Sequence, residues 1–318
     1  MLSLWKNLWK KKRQSGWRVG ITPGERETAL AIVRQRHGAN PLLKHCGIHP
    51  IVEVKPEHIL TALIQGAELA RVPVSGVISA DDYQLVQVEA PDVPAAELRA
   101  AVRWKLRDVV NFPVEETTVD VFDLPTSPRR TETNMVFAVA ARNVAVQKVI
   151  ELIAQRARGF DVIDIPELCL RNLSALLPQN DKGVALLALS EGFAQLVITR
   201  KGVLYLARRI ELLKRDDIDF NNDESVDIDA AALALEVQRS IDYYESHFDQ
   251  PPIQDLVLAP SEPRTRALAQ TLKNETSLSI EVFEVERYFE VAHGIEIDTR
   301  WPGLIALGAA LRTAHPEH

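Results

Sequence analysis

From Trp17 onward the apolar residues fall into short blocks cut by glycine and proline, and the blocks read as strands over 17–21, 28–35 and 42–54. Pro23-Gly24 divides the first two, and His37-Gly38-Ala39-Asn40-Pro41 the next two. A helix is expected after Pro56, running through Leu60, Leu63 and Ile64 to about Leu69, and 74–78 reads as a buried strand. Residues 83–89 then alternate as the first strand of an inserted subdomain of about 82–158. The insert continues with a helix on which Leu98, Val102, Leu106 and Val109 share a face, and Pro113 is expected to end it. Val119, Val121 and Leu124 follow as a strand, alternating with Asp120 and Phe122; 135–141 reads as another, and a helix over 143–158 closes the insert. A strand at 161–165 and a helix after Pro166 return the chain to its first lobe, 17–180.

A second lobe, 183–318, repeats that beginning. Residues 184–189, a turn with Gly192, residues 193–199, the Lys201-Gly202 turn and residues 203–210 form a strand meander with glycine turns like that of 17–36. A long helix over 230–248 follows, with Leu233, Val237, Ile241, Tyr244 and Phe248 on one face. A buried strand at 256–259, a helix over 262–273 and an apolar helix after Pro302 complete the pattern.

Composition changes the picture at the front of the chain. The 318 residues carry a net charge of −7, yet Lys6, Lys10, Lys11, Lys12, Arg13 and Arg18 put +6 on a start that contains no acid, so the rest carries −13. So acidic a body is a poor match for nucleic acid. Residues 1–16 read instead as a basic amphipathic segment, with Leu2, Trp5, Leu8 and Trp9 on one helical face and Lys6 and Lys10 off it, suited to a weak contact with anionic headgroups. No run reaches the roughly 18 apolar residues that span a bilayer, and the start has neither the apolar core nor the cleavage site of a secretory signal. With two cysteines, Cys46 and Cys169, far apart in sequence, a reducing cytoplasmic setting is expected.

The segment 97–124, with Glu97, Leu98, Arg99, Arg103, Trp104, Phe112, Pro113, Glu115 and Glu116, is similar to the "ELRxAIRWE…PFPLEE" pattern of the type IV pilus assembly PilM family and its MSHA counterpart MshI. "VFAVAARNVAVQKVIELI" at 136–153, "EVQRSIDYYES" at 236–246 and "GLIALGAALR" at 303–312 resemble further family segments in the same order, so the likeness spans about 17–312. It implies an α/β fold of the bilobal actin-like ATPase class, a duplicated RNase H-like architecture with an inserted small α/β subdomain. It implies as partners a PilN-like bitopic inner-membrane protein, bound through its short cytoplasmic N-terminus, and other pilus assembly components. Trp104 and Phe112 are the candidate partner contacts, and the expected location is cytoplasmic, peripheral to the inner membrane.

Nucleotide sites on that fold use two glycine turns with aspartates and a glycine-rich adenosine loop, because main-chain N–H groups must approach the phosphates while carboxylates hold magnesium. Here Thr22, Pro23 and Gly24 stand in the first turn, Ala188 and Ser190 in the second, and Pro260 in the adenosine loop. Proline removes an amide donor, and Glu25 and Glu27 would repel phosphate. The expectation is a pseudo-ATPase with no cofactor, ATP and magnesium included. Its rivals are an active ATPase of the same fold and a type II secretion GspL-like cytoplasmic component, a family that continues into a membrane helix where this sequence ends at His318. A cell-division actin homologue would carry intact phosphate loops. His45, Cys46 and His49 lack the fourth ligand of a closed zinc site and read as strand and turn residues. Asp217, Asp219, Asn221 and Asp223 begin like a calcium loop, but Asn222 and Ile228 occupy its glycine and glutamate positions. No serine sits in a G-x-S-x-G elbow.

Overall fold

A computed structural model of the protein describes residues 16–51, 72–125, 134–154, 160–212, 228–260 and 262–312. The basic segment with Leu2, Trp5, Lys6, Leu8, Trp9 and Lys10, the helix expected from Pro56 to Leu69, the end of the helix expected to reach Arg158, and the calcium-like run at 217–223 lie outside the described residues. In chain order the first elements are β1 (Trp17–Pro23), β2 (Glu27–Arg34), β3 (Leu42–Pro50), β4 (Val74–Val77), β5 (Tyr83–Glu89), α1 (Ala95–Lys105), β6 (Thr117–Asp123), β7 (Met135–Arg142) and α2 (Asn143–Ala154). Next come β8 (Phe160–Asp164), α3 (Pro166–Ser174), β9 (Val184–Leu189), β10 (Phe193–Arg200), β11 (Val203–Glu211) and α4 (Ala230–Phe248). The chain closes with β12 (Asp255–Ala259), α5 (Pro263–Glu275), β13 (Ser279–Val282), α6 (Val285–Tyr288), β14 (Glu290–Val291) and α7 (Trp301–Ala310). Two compact units result: Met1–Val77, Val149–Asp164 and Val285–His318 form one, Ile78–Lys148 and Ile165–Glu284 the other.

In the first unit a sheet of order β14-β3-β2-β1-β4-β8 is built on the antiparallel meander β1–β2–β3, with β4 and β8 added parallel to β1. β2 is buried along nearly its whole length, which is why it reads as a continuous apolar run rather than an alternating one. α7 is buried without interruption from Gly303 to Ala310, so its apolar residues circle the helix instead of forming a stripe. It lies so close to β1 that a Cβ on Gly20 would fall 2.0 Å from the Ala306 carbonyl oxygen and 2.6 Å from the Ala310 nitrogen. Just past α7, Arg312 Nη1 meets the buried Asp164 Oδ2 at 2.7 Å. Cys46 Sγ lies 3.4 Å from the Asp298 carbonyl oxygen, and burial, then the charge of Asp298, pushes its thiol up to about 12.

In the second unit the order β11-β10-β9-β12-β13 repeats β3-β2-β1-β4-β8 with the same strand senses, which is the duplication expected from the glycine-turn meanders. Asn180 secures the Lys201-Gly202 turn, whose residues have φ of 51° and 74°: its carbonyl accepts from Lys201 N at 2.8 Å and its Oδ1 from Gly202 N at 2.6 Å. α4 buries Leu233, Val237, Ile241, Tyr244 and Phe248 as the spacing predicts, and its N-cap Asp229 accepts from Ala231 N and Ala232 N. The inserted sheet, order β5-β7-β6, closes over Val88, Val102, Leu106, Val114 and Val136. Here the expected helix is corrected: α1 ends at Lys105, not at Pro113, and passes into a 3₁₀ turn at Leu106–Asp108. The β-branched pair Val109-Val110 resists continuation, both its N–H groups share the Leu106 carbonyl, and Asn111 N is drawn off to Gln84 Oε1. Val109, expected on the buried face, is therefore 52% exposed.

Candidate functional site

The turns expected to be degenerate nucleotide loops have roles within the strand meanders. Pro23 pairs with Thr28 at the end of β1, and Gly24 is needed by the hairpin itself, since a Cβ there would stand 2.6 Å from the Glu27 carbonyl oxygen. Ala188 lies within β9, fully buried between Gln195 of β10 and Ala259 of β12, so the turn begins only at Ser190, whose N–H bonds the Phe193 carbonyl. Pro260 follows Ala259 directly, and the parallel pairing of β9 with β12 places the second turn and the adenosine-type loop at one end of adjacent strands. What they offer there is a methyl group, a serine hydroxyl and a proline ring without an N–H. Thr22 contributes a hydroxyl in the other unit. None of Thr22, Ala188, Ser190 and Pro260 supplies a carboxylate, and among the described residues no three His, Cys, Asp or Glu side chains are grouped to hold a metal.

His45 and His49 of β3 meet Nε2 to Nε2 at 3.1 Å. Burial lowers both pKa values, that of His45 also through His49, so the two rings form a neutral pair bonded to each other.

The built cavity of the second unit, about 430 Å³, lies where two sheets present their outer strands: its walls include Tyr83 and Leu85 of β5 and Ala207 and Arg209 of β11. Both are edge strands. Main-chain register shows which of their groups are free. Arg142 N bonds Asp82 O and Ala90 N bonds Asn134 O, so in the antiparallel ladder Gln84, Val86 and Val88 turn toward β7, while Tyr83, Leu85 and Gln87 turn their N–H and C=O outward. By the same alternation, the Leu212 N to Gly192 O bond sets Ile210, Arg208 and Leu206 toward β10 and leaves Ala207 and Arg209 outward. The outward residues of both edges thus line one cavity.

Its lining carries a phenol, a buried carboxylate, three amides and two guanidinium groups. Tyr83 Oη donates to Glu167 Oε2 at 2.5 Å; burial, then the charge of Glu167, raises the phenol far above its ordinary pKa, so it stays a donor. Glu167 sits buried in the first turn of α3, where the helix dipole favours a carboxylate. Gln84, Asn111 and Gln195 supply amides, and the Arg142 guanidinium lies 5.0 Å from the centre of the Phe112 ring. Arg209 stacks on Phe193 at 3.9 Å and is held by Asp81 and Glu211.

Of the expected partner contacts, Phe112 lines this cavity and Trp104 does not. Trp104 is 69% exposed in a separate groove of about 440 Å³ beside α1, with Arg107 4.8 Å from its ring. Sequence reasoning missed Tyr83, Glu167 and Gln195. Gln195, a lone amide inside the buried run of β10, was the one available signal.

No protein-family model matches the chain, and no curated protein matches it. Solved structures do. A chain of a PilM–PilN type IV pilus biogenesis complex is 21% identical and covers 96% of this chain and 100% of its own at a TM-score of 0.66. The cytoplasmic domain of EpsL, an inner membrane component of the type II secretion system of Vibrio cholerae, is 12% identical over 93% of this chain and 96% of that one, TM-score 0.48. A protein of unknown function with an actin-like ATPase fold from Bacteroides thetaiotaomicron is 9% identical over 87% and 94%, TM-score 0.47. With the repeated strand order, the fold is the duplicated actin-like one.

Proposed function

We propose that the chain is a non-catalytic scaffold of a type IV, MSHA-like pilus assembly machine that holds the extended cytoplasmic N-terminus of a PilN-like bitopic inner-membrane protein. The observation that carries the reading is the cavity lined by the outward residues of two strand edges, β5 and β11. An extended segment laid there pairs its main chain with the free N–H and C=O groups of one of the two edges, while Phe112, Arg142 and the amides take its side chains. The family-like segments at 97–124 and 236–246 and the likeness to a chain of a PilM–PilN complex support the choice of partner. The protein would work in the cytoplasm beside the inner membrane, with its basic N-terminal segment on anionic lipid. Sedimentation with anionic vesicles should then weaken with salt and with the double change Trp5→Ala, Trp9→Ala.

The partner's N-terminal peptide should bind with micromolar rather than nanomolar affinity, because ordering a flexible segment offsets much of the contact energy. Fluorescence anisotropy with singly N-methylated peptides tests the pairing. Methylation should abolish binding at every second amide and be tolerated between, the two-residue period of a strand. Equal binding of a scrambled peptide, or no such period, sinks the proposal. Thr22, Ala188 and Pro260 lead us to expect that Mg-ATP leaves the melting temperature unchanged. A rise of several degrees that EDTA removes would favour the active ATPase instead.

A further inference from the structure

The opposite edge of the inserted sheet carries a second surface. β7 turns Val136, Ala138 and Ala140 toward β5, so its alternate residues Phe137, Val139 and Ala141 serve β6, where they meet Phe122, Asp120 and Thr118. Val119 of β6 therefore directs its N–H and C=O outward and Val121 its C=O, the Val121 N–H being taken by Asp120 Oδ1 at 3.0 Å, and among the described residues no strand pairs there. α1 runs beside this edge in the opposite sense: Arg99 Nε meets Asp120 Oδ1 at 3.1 Å, and farther along, Arg107 Nη2 meets Glu115 Oε1 at 3.1 Å. Between them, Arg103 Nη2 donates to the carbonyls of Val114 (2.8 Å) and Glu115 (3.1 Å). The charged lining of the resulting groove is Arg99, Arg103 and Arg107 against Glu115 alone, with Trp104 exposed beside them.

We infer that this groove binds an extended acidic polypeptide segment whose carboxylates fall at every second residue. The three arginines recur every four residues, so they are about 6 Å apart along the helix. Alternate side chains of a strand are about 6.7 Å apart and lie on one face. A strand added to β6 thus presents every second side chain to α1 at nearly the arginine spacing, and carboxylates there meet guanidinium groups in the planar geometry both favour. The present partners are replaceable: Arg99 and Asp120 are 71% and 67% exposed, and Arg107 and Glu115 54% and 67%. The Arg103 hydrogen bonds go to main-chain oxygens, so its charge is not neutralised by a bound carboxylate. The exposed Trp104 ring adds a face for an apolar neighbour. A lipid headgroup offers the charge but no main chain for the outward N–H and C=O of Val119 and the C=O of Val121. The site is distinct from the β5–β11 cavity and does not depend on the function proposed above.

The test uses the full chain and labelled peptides of one composition, alternating Glu with Thr and Val in one case and carrying the same glutamates as a block in the other. Anisotropy should give the alternating peptide an affinity at least about tenfold higher than the block peptide. Arg99→Glu or Arg107→Glu should each lower it about tenfold or more, with the melting temperature unchanged. Trp104→Ala should weaken it without altering the salt dependence. Should a charge reversal unfold the protein, Arg99→Gln and Arg107→Gln serve in its place, with the same direction and a smaller loss. Equal affinity for the two peptides, no binding, or binding indifferent to the arginines overturns the inference. So does Arg99- and Arg107-dependent sedimentation with phosphatidylglycerol vesicles that the alternating peptide does not compete, which would make the groove a membrane face.

Discussion

Gly20→Val should unfold the first compact unit or leave it with a melting temperature far below that of the unchanged protein. Gly20 is in the middle of β1, paired with Ala31 on one side and Ser75 on the other, so the strand cannot shift without breaking two ladders. Its missing Cβ is the space into which α7 fits: the nearest atoms would be the Ala306 carbonyl oxygen at 2.0 Å and the Ala310 nitrogen at 2.6 Å. Those are main-chain atoms of a helix that is buried throughout, not side-chain tips that can swing away. Overpacking a core with side-chain atoms costs about 1–3 kcal/mol; displacing a buried helix should cost more. Gly20→Ala should act in the same direction with a smaller effect. Thermal denaturation followed by circular dichroism measures both, and a shift under about 2 °C for the valine variant would refute the packing role.

The second large effect concerns Asp164 and Arg312. Asp164 is 1% exposed at the end of β8, and Arg312 Nη1 reaches its carboxylate at 2.7 Å from beyond the last turn of α7. Arg312→Met should destabilise the protein by about 3–5 kcal/mol, because it takes a counter-ion away from a buried carboxylate. The double change Asp164→Leu, Arg312→Met should recover most of that loss, since an apolar pair of similar volume needs no desolvation of charge. Chemical denaturation of the two single variants and the double variant gives the coupling directly. Additive losses would mean the pair is not an energetic unit.

Much of this fold was legible because its signals are local. α4 carries its own N-cap at Asp229 and a buried stripe at helical spacing, and the observed helix covers the residues expected. β5 and β9 begin and end where the alternation and the apolar run do. The repeat of two meanders with glycine turns was visible for the same reason, since a turn needs only its own residues. Where a neighbour decides, the reading failed: Gln84, distant in sequence, takes Asn111 N, and α1 stops at Lys105 with Val109 exposed. The reason for Gly20 lies in the approach of α7, which is remote in sequence.

The binding surfaces divide along the same line. Arg99, Arg103 and Arg107 share a spacing that the sequence alone shows, and Trp104 stands among them. Nothing in the letters says that β5, β6 and β11 are edge strands, or that β5 and β11 line one cavity. Local periodicity determined the helices, strands and turns, because each is stabilised by contacts a few residues apart. Tertiary structure alone decided which strands kept their main-chain groups unpaired, because an edge is defined by the strand that is missing beside it, and that depends on the order in which distant segments pair.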